Sequence, residues 1–235
     1  MFKSNEMKTP YLILFVLLVC YIASIASHPN FDHFWLVQSW PPGYCQENRC
    51  NKTPIAFVLH GLWPVDSNGQ TLSNYGVADA NVSRILKQDP SLGKNMEKYW
   101  PSLAVQSKAG REGFWRHQWK EHGTGQSRYL ASDYFRLAVR LMKNMDGLVL
   151  NALKVKGIQP NGSTYLKTDY IKAIKTVTRD KDPLLFCFRK NQADHHLKEV
   201  IICIDDQGRS FISCLGRLEK IQDRCKPNIR FPFQA

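Results

Sequence analysis

The sequence is short of three features that would each point to a class of protein. After residue 27 it has no apolar run long enough to span a membrane, which takes about 20 residues, so we expect a soluble chain there. It has no internal repeat and no low-complexity linker, which favours one domain with its own core. It has no CxxC pair, which argues against a zinc site. We therefore expect no zinc, and no other feature of the sequence points to a metal or a cofactor.

Acidic residues are scarce relative to basic ones. The 235 residues include 32 Lys and Arg but only 20 Asp and Glu, which gives a formal net charge of +12. Such a charge favours anionic partners, for example nucleic acid, cell-wall polymers or a membrane surface. A basic protein without such a partner is the alternative, and charge alone does not decide between the two.

One long apolar run is present, at the N-terminus. Two lysines precede "YLILFVLLVCYIASIAS", and its length and small final residues are typical of a secretory signal peptide. We predict a signal peptide over residues 1–27, cut near Ala26 or Ser27, and a secreted, extracellular domain over 28–235. Removing two Lys and one Glu takes the net charge from +12 to about +11. A membrane anchor is the alternative interpretation of this run.

The cysteines are those expected of a secreted chain. Of seven, Cys20 lies in the apolar run, and six follow it. An even number in a secreted protein indicates disulfides, although six cysteines allow fifteen connectivities. The spacing suggests one small loop and one nested arrangement, namely Cys45–Cys50, then Cys203–Cys214 inside Cys187–Cys225.

Three sequons fit a glycosylated surface. They begin at Asn51, Asn81 and Asn161. Pro54 directly follows the first sequon and makes it the least suitable of the three.

The remaining pattern mixes helices and strands without regular alternation. Strand-like segments are "FDHFWLVQSWP", "PIAFVLHGLWP", "LLFCFR", "EVIICID" and "FISCL". Helix-like segments are residues 112–125, "SDYFRLAVRLMKNMDGL", capped by Ser132, and "LKTDYIKAIKTVT", capped by Thr168 or Asp169. We predict an α+β single domain in which a central antiparallel sheet, linked by disulfides, packs with several helices.

Histidines stand among tryptophans in two segments, "FVLHGLWP" and "FWRHQWKEHGTG". His60 is expected at the end of an apolar strand, before a turn. In a helix, Gln118 and His122 are four positions apart and share a face, and Gly123 ends the helix. Two histidines at the ends of elements can serve as an acid–base pair. A packing role is the alternative for each, and His195 and His196 are expected in a loop.

The two histidine segments resemble those of the ribonuclease T2 family. "HGLWP" followed about fifty residues later by "FWxHxWxxHGT" is a specific combination, and "LVQSWPPGYC" and "EVIICID" are similar to other parts of that family. The resemblance covers nearly all of the chain after residue 27. The basic charge and the sequons are most similar to the plant branch called S-RNases, the style proteins of self-incompatibility.

The resemblance implies a metal-free endoribonuclease. Its position in the motif implies that His60 is the general acid for the leaving oxygen, and that His122 is the general base for the ribose 2′-OH. His117 and Gln118 are implied to hold the phosphate. The implied products carry a 2′,3′-cyclic phosphate, and DNA, which lacks the 2′-OH, is not a substrate.

The resemblance also implies substrate contacts and partners. Gln38 and Trp63 match positions that contact bases, with Trp63 offering a stacking face, and Phe114 and Trp115 are expected to line the same groove. RNA is the implied partner, together with a pollen-side recognition protein if the S-RNase interpretation holds. We expect a monomer.

This chain departs from the family pattern at four positions that bear on function. Gln118 and Glu121 stand where the family commonly has Glu and Lys, so this site carries one more negative charge and should hold a phosphate less well. Gly76 and Gly125 stand where the family often has a joined pair of cysteines. The alternatives are a catalytically weakened protein of the same fold, acting in binding, storage or defence, and a basic cell-wall or lectin-like protein.

Overall fold

The computed structural model describes residues 31–73, 79–189, 194–214 and 225–233. The predicted signal peptide and Gly76 lie outside the described residues. Within the described part, no helix is long and apolar enough to cross a membrane.

Seven strands of the described ranges form one sheet. Their order is β2-β1-β5-β7-β3, and β4 and β6 also pair with β5. All pairs are antiparallel except β5 with β7. The strands are β1 (Phe31–Ser39), β2 (Val58–Asp66), β3 (Thr164–Leu166), β4 (Leu184–Arg189), β5 (His195–Asp205), β6 (Phe211–Ile212) and β7 (Asn228–Arg230).

Helices occupy the connections between these strands. They are α1 (Pro41–Tyr44), α2 (Val82–Gln88), α3 (Pro90–Tyr99), α4 (Lys108–Glu121), α5 (Ala131–Asn144), α6 (Leu148–Val155) and α7 (Lys167–Lys175). A 3₁₀ turn, Gly123–Gly125, follows α4. The predicted α+β fold, with its central sheet and several helices, is confirmed.

The alternation of side chains along β1 divides the interior in two. Phe34 and Leu36 belong to the main core, which the helices cover. Trp35 and Val37 point to the other face and belong to a smaller cluster that contains the disulfide cysteine Cys203. This period of two is the strand pattern expected from the sequence, with both faces buried.

A β-bulge interrupts the pairing of β1 with β2 at His60. Val37 is opposite Gly61 and Gln38 is opposite Leu59, so His60 has no partner residue across the ladder. The prediction that the strand ends at His60 is therefore wrong, because β2 continues to Asp66. A bulge adds one residue to a strand and redirects its side chain.

Other local predictions differ from the structure at helix and strand ends. The N-cap of α5 is Leu130 and that of α7 is Leu166, and neither caps with its side chain, so the predicted polar caps are wrong. His195 and His196 are buried residues of β5 rather than loop residues. Strand pairing and packing determine these positions, and neither is visible in local sequence.

The disulfide predictions are confirmed. The structure contains Cys45–Cys50, Cys187–Cys225 and Cys203–Cys214. The nested pairs connect β4 and β5 to the segments that follow β5, so they tie the C-terminal part of the chain to the central strand.

At Gly125 the backbone of Leu72 occupies the space that a side chain would need. A Cβ atom built on Gly125 would lie 2.5 Å from the Leu72 carbonyl oxygen and 2.8 Å from the Leu72 Cβ. The segment after β2 thus packs directly on the turn after α4. Glycine at this position is therefore required by the local packing of this chain.

We therefore expect Gly125→Ala to destabilise the protein by about 1–3 kcal/mol, because the added methyl forces two backbone segments apart. Gly113→Ala is the matched control, since a Cβ on Gly113 of α4 meets nothing within 4 Å. That substitution should stabilise the protein by about 0.5–1 kcal/mol through helix propensity. Urea unfolding followed by tryptophan fluorescence measures both, and equal stability of the two variants would contradict the packing argument.

Candidate active site at the edge of the sheet

His60 is held by hydrogen bonds from both its backbone and its ring. Its carbonyl oxygen, which the bulge removes from the ladder, accepts a bond of 2.7 Å from the indole N–H of Trp100. Its ring Nδ1 lies 2.6 Å from Oε1 of Glu199 on β5. The side chain is 22% exposed, so the ring is anchored inside but still reaches solvent.

His122 lies directly after α4, as the sequence predicts. It is the C-cap residue, and its backbone N–H donates to the carbonyl of Gln118. Its ring stacks on the indole of Trp63, with centroids 4.5 Å apart and planes inclined by 21°. The same indole meets the ring of His60 edge-on, with centroids 5.2 Å apart. Trp63 therefore brings together the two histidines that lie 62 positions apart in the sequence.

Gly61 makes this arrangement possible. A Cβ atom on Gly61 would lie 2.3 Å from Nε1 of Trp63 and 2.4 Å from Oε1 of Gln118. The missing side chain lets Trp63 and Gln118 approach the backbone and each other, and the indole N–H donates to Oε1 of Gln118 over 3.4 Å.

The two histidines have opposite electrostatic surroundings. Burial, followed by the charges of His60 and His117, lowers the pKa of His122 to about 3. The imidazole of His122 is thus neutral in the folded protein at ordinary pH. His60, in contrast, faces the buried carboxylate of Glu199. A neutral imidazole beside one with a carboxylate partner is an arrangement that can accept a proton at one ring and donate one at the other.

The other helix residues predicted for the site are placed differently. Gln118 is buried and bonded to Trp63, whereas His117 and Lys120 are exposed on α4. His117 acts on the site through its charge, which contributes to the low pKa of His122. Glu121 is half-buried at the end of α4, next to His122.

A cavity of about 70 Å³ adjoins His60. Phe114 of α4 and Tyr44 of α1 line it, together with Ser39, Val58, Leu59 and residues 101–104. The ring of Tyr44 lies edge-on to His60, with centroids 5.6 Å apart. Phe114 thus lines the same cavity as His60. Tyr44 was not predicted, because in "PPGYC" nothing marks it apart from its neighbours.

Two predicted substrate contacts need correction. Gln38 is fully buried, and neither atom of its side-chain amide has a hydrogen-bond partner within the described structure. Trp115 is also buried, and its indole N–H donates to the carbonyl of Trp100. In this conformation neither side chain lines the cavity beside His60. Gln38 is buried, and Trp115 borders a separate cavity between α2, α3 and α4.

Sequence reasoning missed Glu199. The signal was present, since an acid stands inside the apolar strand segment "EVIICID". A buried charge requires a partner, but only the strand order shows that the partner is His60. Among the described residues, no group of three or more His, Cys, Asp or Glu side chains is arranged to hold a metal ion.

The low pKa of His122 predicts a pH dependence of stability. Between its ordinary pKa near 6.5 and about 3, the unfolded chain binds a proton at His122 that the folded chain does not. The free energy of unfolding therefore falls as pH drops through this range, by up to about 1.4 kcal/mol per pH unit from this group. We expect His122→Gln to make the slope shallower in urea unfolding between pH 4 and 7.

The control is His117→Gln, which removes an exposed histidine of the same helix. It should leave most of the slope in place, because burial is the main cause of the low pKa of His122. A wild-type slope in the His122 variant would show that His122 protonates as readily in the folded chain as in the unfolded one.

Comparison with known proteins assigns the family. Residues 31–214 match the model of the ribonuclease T2 family. The chain is 33% identical over 219 residues to extracellular ribonuclease LE of Solanum lycopersicum, which covers 90% of this chain and 92% of the relative. It is 31% identical over 230 residues to ribonuclease S-7 of Nicotiana alata, covering 94% and 95%.

A solved structure shows the same fold. The crystal structure of a mutant of RNase MC1, a ribonuclease from the seeds of bitter gourd, in complex with 5'-GMP superposes with a TM-score of 0.72 and 30% identity. The match covers 86% of this chain and 100% of RNase MC1. The chain therefore belongs to the ribonuclease T2 family and is an endoribonuclease with relatives among the plant S-RNases.

Proposed function

We propose that the protein cleaves single-stranded RNA by metal-independent transesterification, with His122 as general base and His60 as general acid. The observation that carries this proposal is the pair of imidazoles on either side of Trp63, one neutral by burial and one bonded to a buried carboxylate. The known membership of the family supports the reaction class, and the geometry supports the roles.

In the proposed step, His122 takes the proton from the ribose 2′-OH. The 2′-oxygen forms a bond to the adjacent phosphorus, and the bond from phosphorus to the 5′-oxygen breaks. His60 gives its proton to the departing 5′-oxygen, so the products are a 2′,3′-cyclic phosphate and a free 5′-OH. The position of His122 at the C-terminal end of α4 helps, because the partial negative charge there stabilises the imidazolium that forms.

Binding of the substrate would combine weak charge attraction with aromatic contacts. In this proposal His117, which is exposed on α4, holds the phosphate, and Gln118 offers its amide N–H to a phosphate oxygen in place of a charge. Phe114 and Tyr44 line the cavity beside His60, which offers a base an aromatic surface. RNase MC1 binds 5'-GMP in its crystal structure, which supports a nucleotide as the ligand class here.

A catalytically weakened protein acting in binding, storage or defence is the second candidate. Two observations at the end of α4 favour it. The side chain of Gln118 is hydrogen-bonded to Trp63, and Glu121 adds a negative charge beside His122. A negative charge at this end of a helix also opposes the helix dipole.

The biological part of the proposal is a secreted S-RNase of gametophytic self-incompatibility. The similarity to ribonuclease S-7 of Nicotiana alata and the net charge of +12 support it. In this role the protein is extracellular, loses residues 1–27 as a signal peptide, acts as a monomer, and meets RNA and a pollen-side recognition protein. The similarity to extracellular ribonuclease LE supports secretion.

The reaction is tested by RNA cleavage in EDTA across pH 4 to 8. We expect the oxidised mature chain to give 2′,3′-cyclic phosphate ends, and His60→Ala or His122→Ala to lower kcat by about 10²–10⁴-fold, the usual contribution of a general acid or base. The control is His33→Gln, which changes a histidine at the opposite end of β1 from the site. A folded wild-type protein that leaves RNA intact at every pH would favour the second candidate.

The sequons give a test of passage through the secretory pathway. All three asparagines are exposed, but they differ in their bonds. The side-chain oxygen of Asn81 caps α2, and that of Asn161 accepts a hydrogen bond from the N–H of Ser163. Asn51 instead uses its side-chain nitrogen, the atom that a sugar would join. Its N–H donates a hydrogen bond of 2.7 Å to the carbonyl of Ala104.

We therefore expect glycans at Asn81 and Asn161 and an unmodified Asn51 when the full chain is produced in plant cells. Enzymatic release of the glycans in ¹⁸O water, followed by peptide mass spectrometry, marks each occupied asparagine. Glycan at Asn51 would show that its bond to Ala104 does not form during maturation, and three empty sites would argue against secretion.

A further inference from the structure

A carboxylate lies deep in the central strand of the sheet. Glu199 is 3% exposed, and its strand neighbours Val200, Ile201 and Ile202 are buried apolar residues. Burying a charged carboxylate costs several kcal/mol unless it is paired and hydrogen-bonded. Its presence in β5 therefore requires specific partners.

The partners of Glu199 come from β1, which pairs with β5, and from β2 on the far side of β1. Ser39 is its direct neighbour across the β1–β5 ladder, and the hydroxyl of Ser39 donates to Oε1 over 3.2 Å. Nδ1 of His60, redirected by the bulge in β2, lies 2.6 Å from the same oxygen. Burial raises the pKa of the Glu199 carboxyl, but the charge and hydrogen bond of His60, with help from Lys198 and Ser39, lower it below its usual value. The carboxyl is therefore an anion.

We propose that Glu199 is a positioning residue for His60. The carboxylate accepts a hydrogen bond from Nδ1–H, which fixes the ring. This leaves Nε2, on the opposite side of the imidazole, to carry the proton that goes to the leaving oxygen. This inference rests on the proposed role of His60 as general acid. Glu199 touches no substrate in this scheme and acts only through the ring.

The other charged and titratable groups near His60 do not replace this carboxylate. Lys198, the neighbour of Glu199 on β5, has its ammonium 2.6 Å from Oε2 of Glu47 and lies over the ring of Tyr44. Tyr44 presents its ring edge to His60, and burial, followed by the charges of Glu199 and Glu47, raises its pKa, so it stays neutral. His122 lies beyond Trp63 and is neutral. Glu199 is thus the anion that meets the ring.

Stability alone is a weak reason for such a pair. Replacing a buried ion pair by apolar residues of similar size often leaves stability unchanged or raises it. What such a pair can provide is a defined geometry. Catalytic histidines in other enzymes gain their tautomer and orientation from a buried carboxylate on the second nitrogen. The arrangement around His60 meets the same geometric requirement with residues of three adjacent strands.

The test compares two substrates that differ in their need for a general acid. Uridylyl-(3′,5′)-adenosine has an alkoxide leaving group that must be protonated, whereas the nitrophenolate of uridine 3′-(4-nitrophenyl phosphate) leaves without a proton. Glu199→Gln keeps the shape of the side chain but removes its charge. Its amide can present either the oxygen or the NH2 group to Nδ1, so it no longer selects one tautomer of His60. We expect Glu199→Gln to lower kcat on the dinucleotide by about 10- to 100-fold, with KM unchanged and the nitrophenyl ester affected less than about threefold.

Asp194→Asn is the matched control, because it removes a carboxylate from another histidine pair, 3.0 Å from Nε2 of His196, away from the active site. It should leave both substrates unaffected. Equal losses of Glu199→Gln on both substrates, or no loss on either, would overturn the positioning role. Retained dinucleotide cleavage in His60→Ala would instead overturn the proposed function.

The tautomer of His60 can also be measured on the wild-type chain, which tests the same role if Glu199→Gln does not fold. Nitrogen-15 NMR of the His60 ring, at a pH where it is neutral, should place its proton on Nδ1. A proton on Nε2 in the neutral ring would show that the carboxylate of Glu199 does not select the tautomer.

Discussion

The β-bulge at His60 is the constraint on which the active site depends. Because His60 is left out of the pairing of β1 with β2, its side chain turns toward Glu199 and its carbonyl becomes available to the indole of Trp100. Gly61 then lets Trp63 and Gln118 approach the backbone. A regular strand would place every second residue on one face, and His60 would lose its contact with the carboxylate, the indole or both.

The rest of the site works by giving two chemically identical side chains different environments. His122 is buried and stacked on the indole of Trp63, so its imidazole stays neutral. His60 instead has a carboxylate partner, Glu199, from the centre of the sheet. Acid–base catalysis is commonly based on two titratable groups whose surroundings give them different pKa values. The positive net charge of the chain adds a long-range attraction for a polyanion, without deciding where it reacts.

Much of this organisation is present in local sequence. The helix around residues 112–125, its end before Gly123, the three disulfides and the mixed α+β class follow from periodicity, spacing and composition, and the structure bears them out. The predictions that failed share a cause. Gln38 was expected to contact bases and Trp115 to line the substrate groove. The strand was expected to stop at His60, and His195 was expected in a loop. Each of these positions depends on which segment packs on which.

The sequence by itself determined the residue types of the chemistry and their order along the chain, because the histidine and tryptophan segments are continuous and their spacing is specific. Only the tertiary structure decided which of them meet. Glu199 lies 139 positions from His60, and no local pattern links the two, since strand order and a one-residue bulge bring them within 2.6 Å. Burial likewise keeps the imidazole of His122 neutral, because the cost of a charge depends on the surrounding medium rather than on the residue that carries it.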